Sequence, residues 1–125
     1  MSIVRTGLLF IVVVAAASRT ADVSGTWELS VDLRDLGPGN AVVAIKQNGH
    51  RLSGTWDGSG PAGNRNDVTG TIEGTRVSIH HTILTWGGAS MPLTLTGTLT
   101  GSSKMNGIVE RSGVAIGEWT AVKKK

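Results

Sequence analysis

The amino-acid sequence predicts an all-β protein, an eight-stranded antiparallel up-and-down (meander) barrel. Apolar and polar residues alternate with a period of two over eight segments, and no window shows a convincing helical period. Turn-forming residues separate each segment from the next. A third observation is a recurring pattern of apolar residue, glycine and apolar residue, each two positions apart, in residues 23–27, 52–56, 68–72 and 95–99, and more loosely in 105–109 and 115–119.

The glycines of this pattern share a face with the large apolar residues. Glycine on the inner face of a strand marks a bend or a close approach of two backbones, and repeated around a sheet it allows tight curling. An open meander leaves two exposed edges, so we expect the first strand to pair with the last. An open β-sandwich is the alternative.

The first four strands are predicted over residues 24–33, 41–47, 51–57 and 67–73. In the first of them, large apolar residues occupy every second position from Trp27 to Leu33. Glycine, proline and asparagine in residues 36–40 predict a turn, and Asn48-Gly49 is a strong hairpin signal. Residues 58–66 are rich in the same residue types and are predicted to form an exposed loop.

The last four strands are predicted over residues 76–85, 92–100, 104–111 and 114–122. Turns at residues 74–75, 101–103 and 112–113 and a loop at 87–90 separate them. Threonine, valine and isoleucine dominate these segments, which suits a pleated surface. The strand over 92–100 is the plainest, because its leucines and glycine fall on one face and its threonines on the other.

The N-terminal segment has the pattern of a secretory signal peptide. Arg5 supplies the positive charge, residues 8–14 are uninterruptedly apolar, and Ala15-Ala16-Ala17 fits a cleavage site. The apolar run is shorter than the roughly 20 residues that span a bilayer. We therefore predict a signal peptide over 1–17, or cleavage a few residues later, and a single barrel domain over 18–125. The mature protein is expected to be secreted or periplasmic, with no membrane insertion after cleavage.

Composition narrows the set of partners. The chain contains no cysteine, so we expect neither disulfides nor lipid attachment through a cysteine. The net charge is +3, and the terminal Lys123-Lys124-Lys125 contributes part of it. No basic stripe interleaved with aromatic residues is present, which disfavours a nucleic-acid partner. Self-association into a homo-oligomer stays open.

Two segments near the ends of the barrel domain carry a family resemblance. At Gly25-Thr26-Trp27 the chain resembles the calycin superfamily, which includes lipocalins and avidins and whose first tryptophan closes one end of the barrel. The last predicted strand contains Gly117-Glu118-Trp119. The resemblance implies structural roles for Trp27 and Trp119, with Lys123 or Lys124 packed over the first tryptophan through a cation–π contact.

The local motifs are most similar to those of avidins. Residues 52–57, a glycine-rich loop ending at Gly63-Asn64 and residues 68–70 look like the avidin third strand, binding loop and fourth strand. Trp86 with Gly88 is similar to an avidin Trp-x-Gly motif. The resemblance implies ligand-binding roles for Asn64 and Trp86.

Histidine and tryptophan are the remaining candidates for a site. Alternation places His81 inside the barrel with Val77 and Ile79, and leaves His80 outside, so the pair cannot chelate one metal ion. An inward histidine either binds a ligand, with an affinity that changes between about pH 5 and 8, or is a satisfied core residue. Trp56 also points inward. The predicted ligand-binding residues are Trp56, Asn64, His81 and Trp86, with no metal and no cofactor.

Catalysis has no support in the sequence. Six carboxylates fall on the predicted outer face, and neither a cysteine nucleophile nor a Gly-x-Ser-x-Gly motif is present. We therefore predict a non-enzymatic barrel that binds a small, largely apolar molecule at its mouth. A structural or protein-interaction barrel with a filled core is the alternative, and an enzyme using His81 is a remote one.

The departures from the avidin pattern predict that biotin does not bind with avidin-like strength. Trp56 and Gly58 stand where avidins have a tyrosine and a serine, Leu29 replaces a polar first-strand ligand, and the last strand lacks an aspartate. A polar ligand loses affinity steeply when its buried partners are absent. Isothermal titration calorimetry with biotin checks this expectation, and tight binding would contradict it.

Overall fold

The computed structural model describes residues 21–59, 65–84 and 90–124, and only the backbone at Leu84. Its eight strands form a closed antiparallel barrel in which each strand pairs with the next and β1 pairs with β8. The predicted fold class is confirmed. The strands are β1 Gly25–Leu33, β2 Gly37–Asn48, β3 Arg51–Ser59, β4 Arg65–Glu73, β5 Arg76–Leu84, β6 Ser90–Thr100, β7 Lys104–Arg111 and β8 Val114–Lys123.

The strand β2 starts earlier than the sequence predicts, and the predicted turn at 36–40 is wrong. Gly37 pairs with Leu33 and Pro38 with Asp32, so the turn is confined to residues 34–36. Gly37 has a φ of 81°, which suits glycine and lets the chain reverse immediately. Proline is tolerated because the pairing of β2 with β3 begins only at Asn40, which leaves one side of Pro38 unpaired.

Alternation along each strand separates a buried apolar interior from a polar exterior. The carboxylates that the sequence places outside do lie outside, exposed or, at Glu110, half-buried. The core contains the indoles of Trp27, Trp56 and Trp119 together with aliphatic side chains from all eight strands. The histidine His81 is the one buried polar side chain among the residues that the structure describes.

Inward glycines bring neighbouring strands closer together than any side chain allows. A methyl group at Gly54 would collide with the carbonyl of Ala44 on β2, and one at Gly107 with the carbonyl of Thr96 on β6. A methyl group at Gly97 would also lie 2.7 Å from Cζ2 of Trp119. These positions therefore let the sheet bend into a narrow barrel, and Gly97 additionally makes room for an indole ring.

The N-terminal segment Ala21–Ser24 folds over one end of the barrel, and we call it the strap. Val23 is fully buried, and its N–H donates to Oε1 of Gln47 at 2.8 Å. Nε2 of Gln47 donates to the carbonyl of Ala21 at 2.8 Å. Both ends of the Gln47 amide therefore hold the strap.

Trp27 lies beneath the strap. Its indole N–H donates to the carbonyl of Val23 at 3.0 Å, and Nζ of Lys123 lies 5.8 Å from the centroid of its ring. Trp119 is anchored elsewhere, since its indole N–H donates to the carbonyl of Thr96 at 3.1 Å. The two tryptophans are thus fixed by different elements, one by the strap and one by β6.

The substitution Gly54→Ala tests the close approach of the strands. We expect it to lower the free energy of unfolding by about 1–3 kcal/mol, because the added methyl group meets backbone that cannot rotate away. The matched control Thr55→Ala, on the outer face of the same strand, is expected to cost less than about 1 kcal/mol. Urea denaturation of both variants measures the difference, and equal losses would contradict this account.

Candidate ligand-binding site

The two ends of the barrel differ in how they are closed. The strap end carries the strap and the tight turns after β2, β4 and β6. At the opposite end, which we call the loop end, the turns after β1 and β7 and the longer connections after β3 and β5 join the strands. Trp56 and His81 lie in the last four residues of β3 and β5, so both belong to the loop end.

The rings of Trp56 and His81 stack on each other inside the barrel. Their centroids are 4.0 Å apart and their planes differ by 18°. The side chains are 1% and 2% exposed, and both point inward as their alternation in the sequence predicts. The strand β4 runs between β3 and β5, so the rings meet inside it, and its Val68 is buried with them.

Both ring nitrogens of His81 are buried and have no hydrogen-bond partner among the described residues. The buried Oδ1 of Asn66 also has no hydrogen-bond partner there, whereas Nδ2 of the same amide donates to the carbonyl of Thr82 at 2.6 Å. Asn66 stands directly opposite Trp56 in the β3–β4 register. Buried polar atoms are normally hydrogen-bonded, so three such atoms at one end of a barrel call for an explanation.

Sequence reasoning missed Asn66 because it began the fourth strand at residue 67 and gave residue 66 to a loop. The structure starts β4 at Arg65. The signal that identifies Asn66 is its parity, since it lies two residues before the inward Val68 and four before Gly70. A strand extended by two residues would have placed an amide beside Trp56.

Burial lowers the pKa of His81 from 6.5 to about 4. Desolvation disfavours the charged imidazolium, and no charged side chain among the described residues compensates for it. The inward neighbours of His81 are Val68 and Leu93 on the adjoining strands β4 and β6, and Trp56 on β3. With this pKa the imidazole of the free protein is neutral between pH 5 and 8, the range over which the sequence predicts a change in ligand affinity.

Side chains fill the interior between the Trp56–His81 stack and the strap end. Among the described residues, the gap found there has a volume of about 10 Å³ and is lined by Ile45, Leu52, Val68 and Ile79 among others. A gap of this size holds one water molecule at most. This gap therefore offers no room for a ligand.

A cleft of about 280 Å³ opens at the rim of the loop end. Its lining is mainly apolar, with Asp35 and Arg111 as the charged members: Leu33, Asp35, Leu36, Met91, Arg111 and Ile116. Ile116 is the extra residue of a β-bulge in β8, where Val109 pairs with Gly117 but Glu110 with Ala115. Bulges re-aim side chains at barrel rims, and this one turns Ile116 into the cleft.

The cleft and the stack belong to the same end of the barrel. Met91 lines the cleft and pairs with Ile83, which lies two residues beyond His81 on β5. Arg111 lines the cleft while remaining exposed.

Two predicted ligand-binding residues, Asn64 and Trp86, lie outside the described residues. Within the described part of the chain, no group of three or more metal-ligating side chains comes together. No helix there is long and apolar enough to cross a membrane.

Comparisons with known proteins identify the fold and no family. No protein-family model matches the sequence, and no curated protein is similar to it. A redesigned beta barrel is 14% identical with a TM-score of 0.65, covering 82% of this chain and 92% of that one. The redesigned barrel mFAP1 bound to DFHBI is 14% identical with a TM-score of 0.63, covering 81% and 94%. EF1p2_mFAP2b bound to DFHBI is 13% identical with a TM-score of 0.61, covering 82% and 94%. These likenesses confirm an eight-stranded barrel.

The depressed pKa of His81 makes stability depend on pH. Between about pH 4 and 6.5 the unfolded chain binds a proton at His81 that the folded chain does not, so stability falls as the pH falls through this window. Relative to His81→Phe, the wild-type protein is expected to lose about 3 kcal/mol from pH 7 to 4. Urea denaturation at each pH measures it.

The variant His80→Phe is the matched control, because His80 is exposed on the outer face of the same strand. Its stability should follow that of the wild-type protein through the whole pH range. Parallel curves for wild type and His81→Phe would contradict the account of a buried, neutral His81.

Proposed function

We propose that this chain is an exported, non-catalytic barrel that binds a small, largely apolar molecule at its loop end, against the Trp56–His81 stack. The observation that carries the proposal is the pair of unpartnered nitrogens on a buried ring. An unpaired buried polar atom costs stability, and such costs concentrate where a protein needs the group for binding. A ligand at the loop end supplies the missing partner.

The contrast between the two ends supports this location. At the strap end, the amide of Gln47 and the indole N–H of Trp27 are hydrogen-bonded to the strap. At the loop end, the buried atoms of His81 and Asn66 are not. The apolar cleft beside Met91 offers a way in from the rim. Loops on a rigid scaffold commonly carry binding sites, and the longer connections of this barrel join strands at the same end.

The similar solved structures support the proposal at the level of architecture. Two of them are bound to the small molecule DFHBI, and an eight-stranded barrel is wide enough to hold one small ligand. Their identity to this chain is 13% and 14%, so they supply no residue-level correspondence. The proposal includes an avidin-like type of barrel, on the basis of the resemblance of residues 52–57 and 68–70 to avidins.

A binding role fits the chemistry of the loop end better than a catalytic one. With a pKa of about 4, His81 is a weak base at neutral pH. The inward residues around it in the described part of the chain include no carboxylate and no nucleophile. His81 is thus suited to hydrogen bonding rather than to proton abstraction.

A structural or protein-interaction barrel is the second candidate, and the small size of the gap among Ile45, Leu52 and Val68 favours it. In that case the nitrogens of His81 would be satisfied by internal water, and small molecules would not bind. A ligand experiment separates the two candidates directly.

Export through the signal peptide over residues 1–17 is part of the proposal. The strap begins at Ala21, whose N–H donates to the carbonyl of Gly74 and whose carbonyl accepts from Gln47. Removal of residues 1–17 leaves the strap intact. The intact mass of the protein secreted by an expression host measures the cleavage site.

A fragment screen by protein-observed NMR tests the binding role. We expect small apolar compounds to shift the indole signal of Trp56, and Trp56→Leu to weaken their binding at least tenfold by removing the ring that lines the site. The matched control Leu99→Val changes a buried core residue of β6 near the strap end and should leave affinity within about twofold. Failure of every fragment to bind, or equal binding to Trp56→Leu, would contradict the proposal.

A further inference from the structure

The buried polar atoms at the loop end restrict the chemistry of the ligand. A neutral imidazole presents one N–H donor and one acceptor nitrogen, and the two tautomers exchange which nitrogen carries the proton. Oδ1 of Asn66 is an acceptor, because Nδ2 of the same amide already donates to the carbonyl of Thr82. The unpartnered atoms of the site therefore amount to two acceptors and one donor.

Among the residues that the structure describes, no side chain buried in this region balances a full charge. The side chains that face His81 are Val68 and Leu93 on the adjoining strands and Trp56 on β3, all of them buried. The titratable residues next in sequence to the site, namely Asp57, Asp67 and His80, are exposed on the outer face. Arg111 and Asp35 lie at the rim, where both are exposed to water. A charged group buried beside His81 would lose its hydration without gaining a counter-ion.

We infer that the ligand is an uncharged, largely apolar molecule that carries a proton-donating group, a hydroxyl or an N–H, directed at His81 and Asn66. This inference rests on the proposed function and specifies its ligand class. A donor on the ligand is needed because acceptors outnumber donors in the site. An ether or hydrocarbon of the same shape leaves those acceptors unpaired, and a carboxylate brings both charge and a further acceptor.

The stack adds a shape requirement. The Trp56 and His81 planes differ by 18°, so together they form a flat apolar wall two rings thick. The N–H and the lone pair of an imidazole lie in the plane of its ring, so a ligand hydroxyl reaches them from the ring edge, and a small planar ring behind that hydroxyl fits beside the stack. Small phenols satisfy both the shape and the hydrogen-bonding requirement.

Three monosubstituted benzenes separate the hydrogen-bonding requirement from the charge requirement: phenol, toluene and benzoate. Titrations at pH 7 are followed by the amide and indole signals of the labelled protein. We expect phenol to bind at least tenfold more tightly than toluene, and benzoate to bind at least tenfold more weakly than phenol. His81→Phe should reduce the preference of phenol over toluene to about threefold or less, since it keeps the stacked ring and removes both nitrogens.

The variant His80→Phe, with the same chemical change on the outer face, should keep the wild-type preference. The wild-type ranking of the probes stands as a test even if His81→Phe does not fold. Toluene binding as tightly as phenol, benzoate binding most tightly, or an unchanged preference in a folded His81→Phe would overturn the inference while leaving a binding barrel in place. If none of the three probes binds, both the inference and the proposed function fail.

Discussion

The close approach of neighbouring backbones at inward glycines is the constraint on which the rest of this structure depends. Gly54, Gly70, Gly97, Gly107 and Gly117 all stand where a methyl group would collide with the carbonyl of an adjacent strand. Without side chains at these positions the sheet bends tightly enough for β1 to reach β8. The barrel is consequently narrow, and the space freed at Gly97 accepts the ring of Trp119. Three inward indoles lie in the core of this barrel, and the gap beside Ile45 and Leu52 is too small for a ligand.

Buried polar groups at the two ends of the barrel differ in whether they are hydrogen-bonded. At the strap end, each end of the Gln47 amide has a backbone partner, and the indole N–H of Trp27 is bonded to the strap. Lys123 then covers the ring of Trp27 from the last strand. At the loop end, His81 and Asn66 contribute buried atoms with no such partners. The buried polar groups named at the strap end are hydrogen-bonded, whereas those at the loop end are the unpartnered atoms on which the proposed binding role rests.

Much of the fold was predictable because period-two alternation and turn chemistry are local properties. They placed all eight strands, and they placed Trp56 and His81 inside the barrel. Strand ends were less predictable, since the pairing of Gly37–Asn40 with β1 overrides the turn preference of glycine and proline. The hydrogen bond between Gln47 and Val23 was not predictable from local sequence, because Val23 lies in the strap, 24 residues earlier in the chain. The bulge at Ile116 follows from register between strands rather than from local sequence, whereas Asn66 was missed because β4 was predicted to start two residues late. The low pKa of His81 arises from burial and from which residues surround it, which alternation alone does not determine.

The protonation state and environment of His81 connect the fold to the proposed function, and NMR of its ring nitrogens measures both. Long-range proton–nitrogen correlation spectra of the labelled protein at a pH of about 5.5, below the ordinary pKa of histidine and above that of a buried one, distinguish neutral from charged rings. This account predicts a neutral His81 at that pH, with a change in the His81 nitrogen signals when phenol is added. A protonated His81 at that pH, or nitrogen signals unaffected by every bound small molecule, would contradict it.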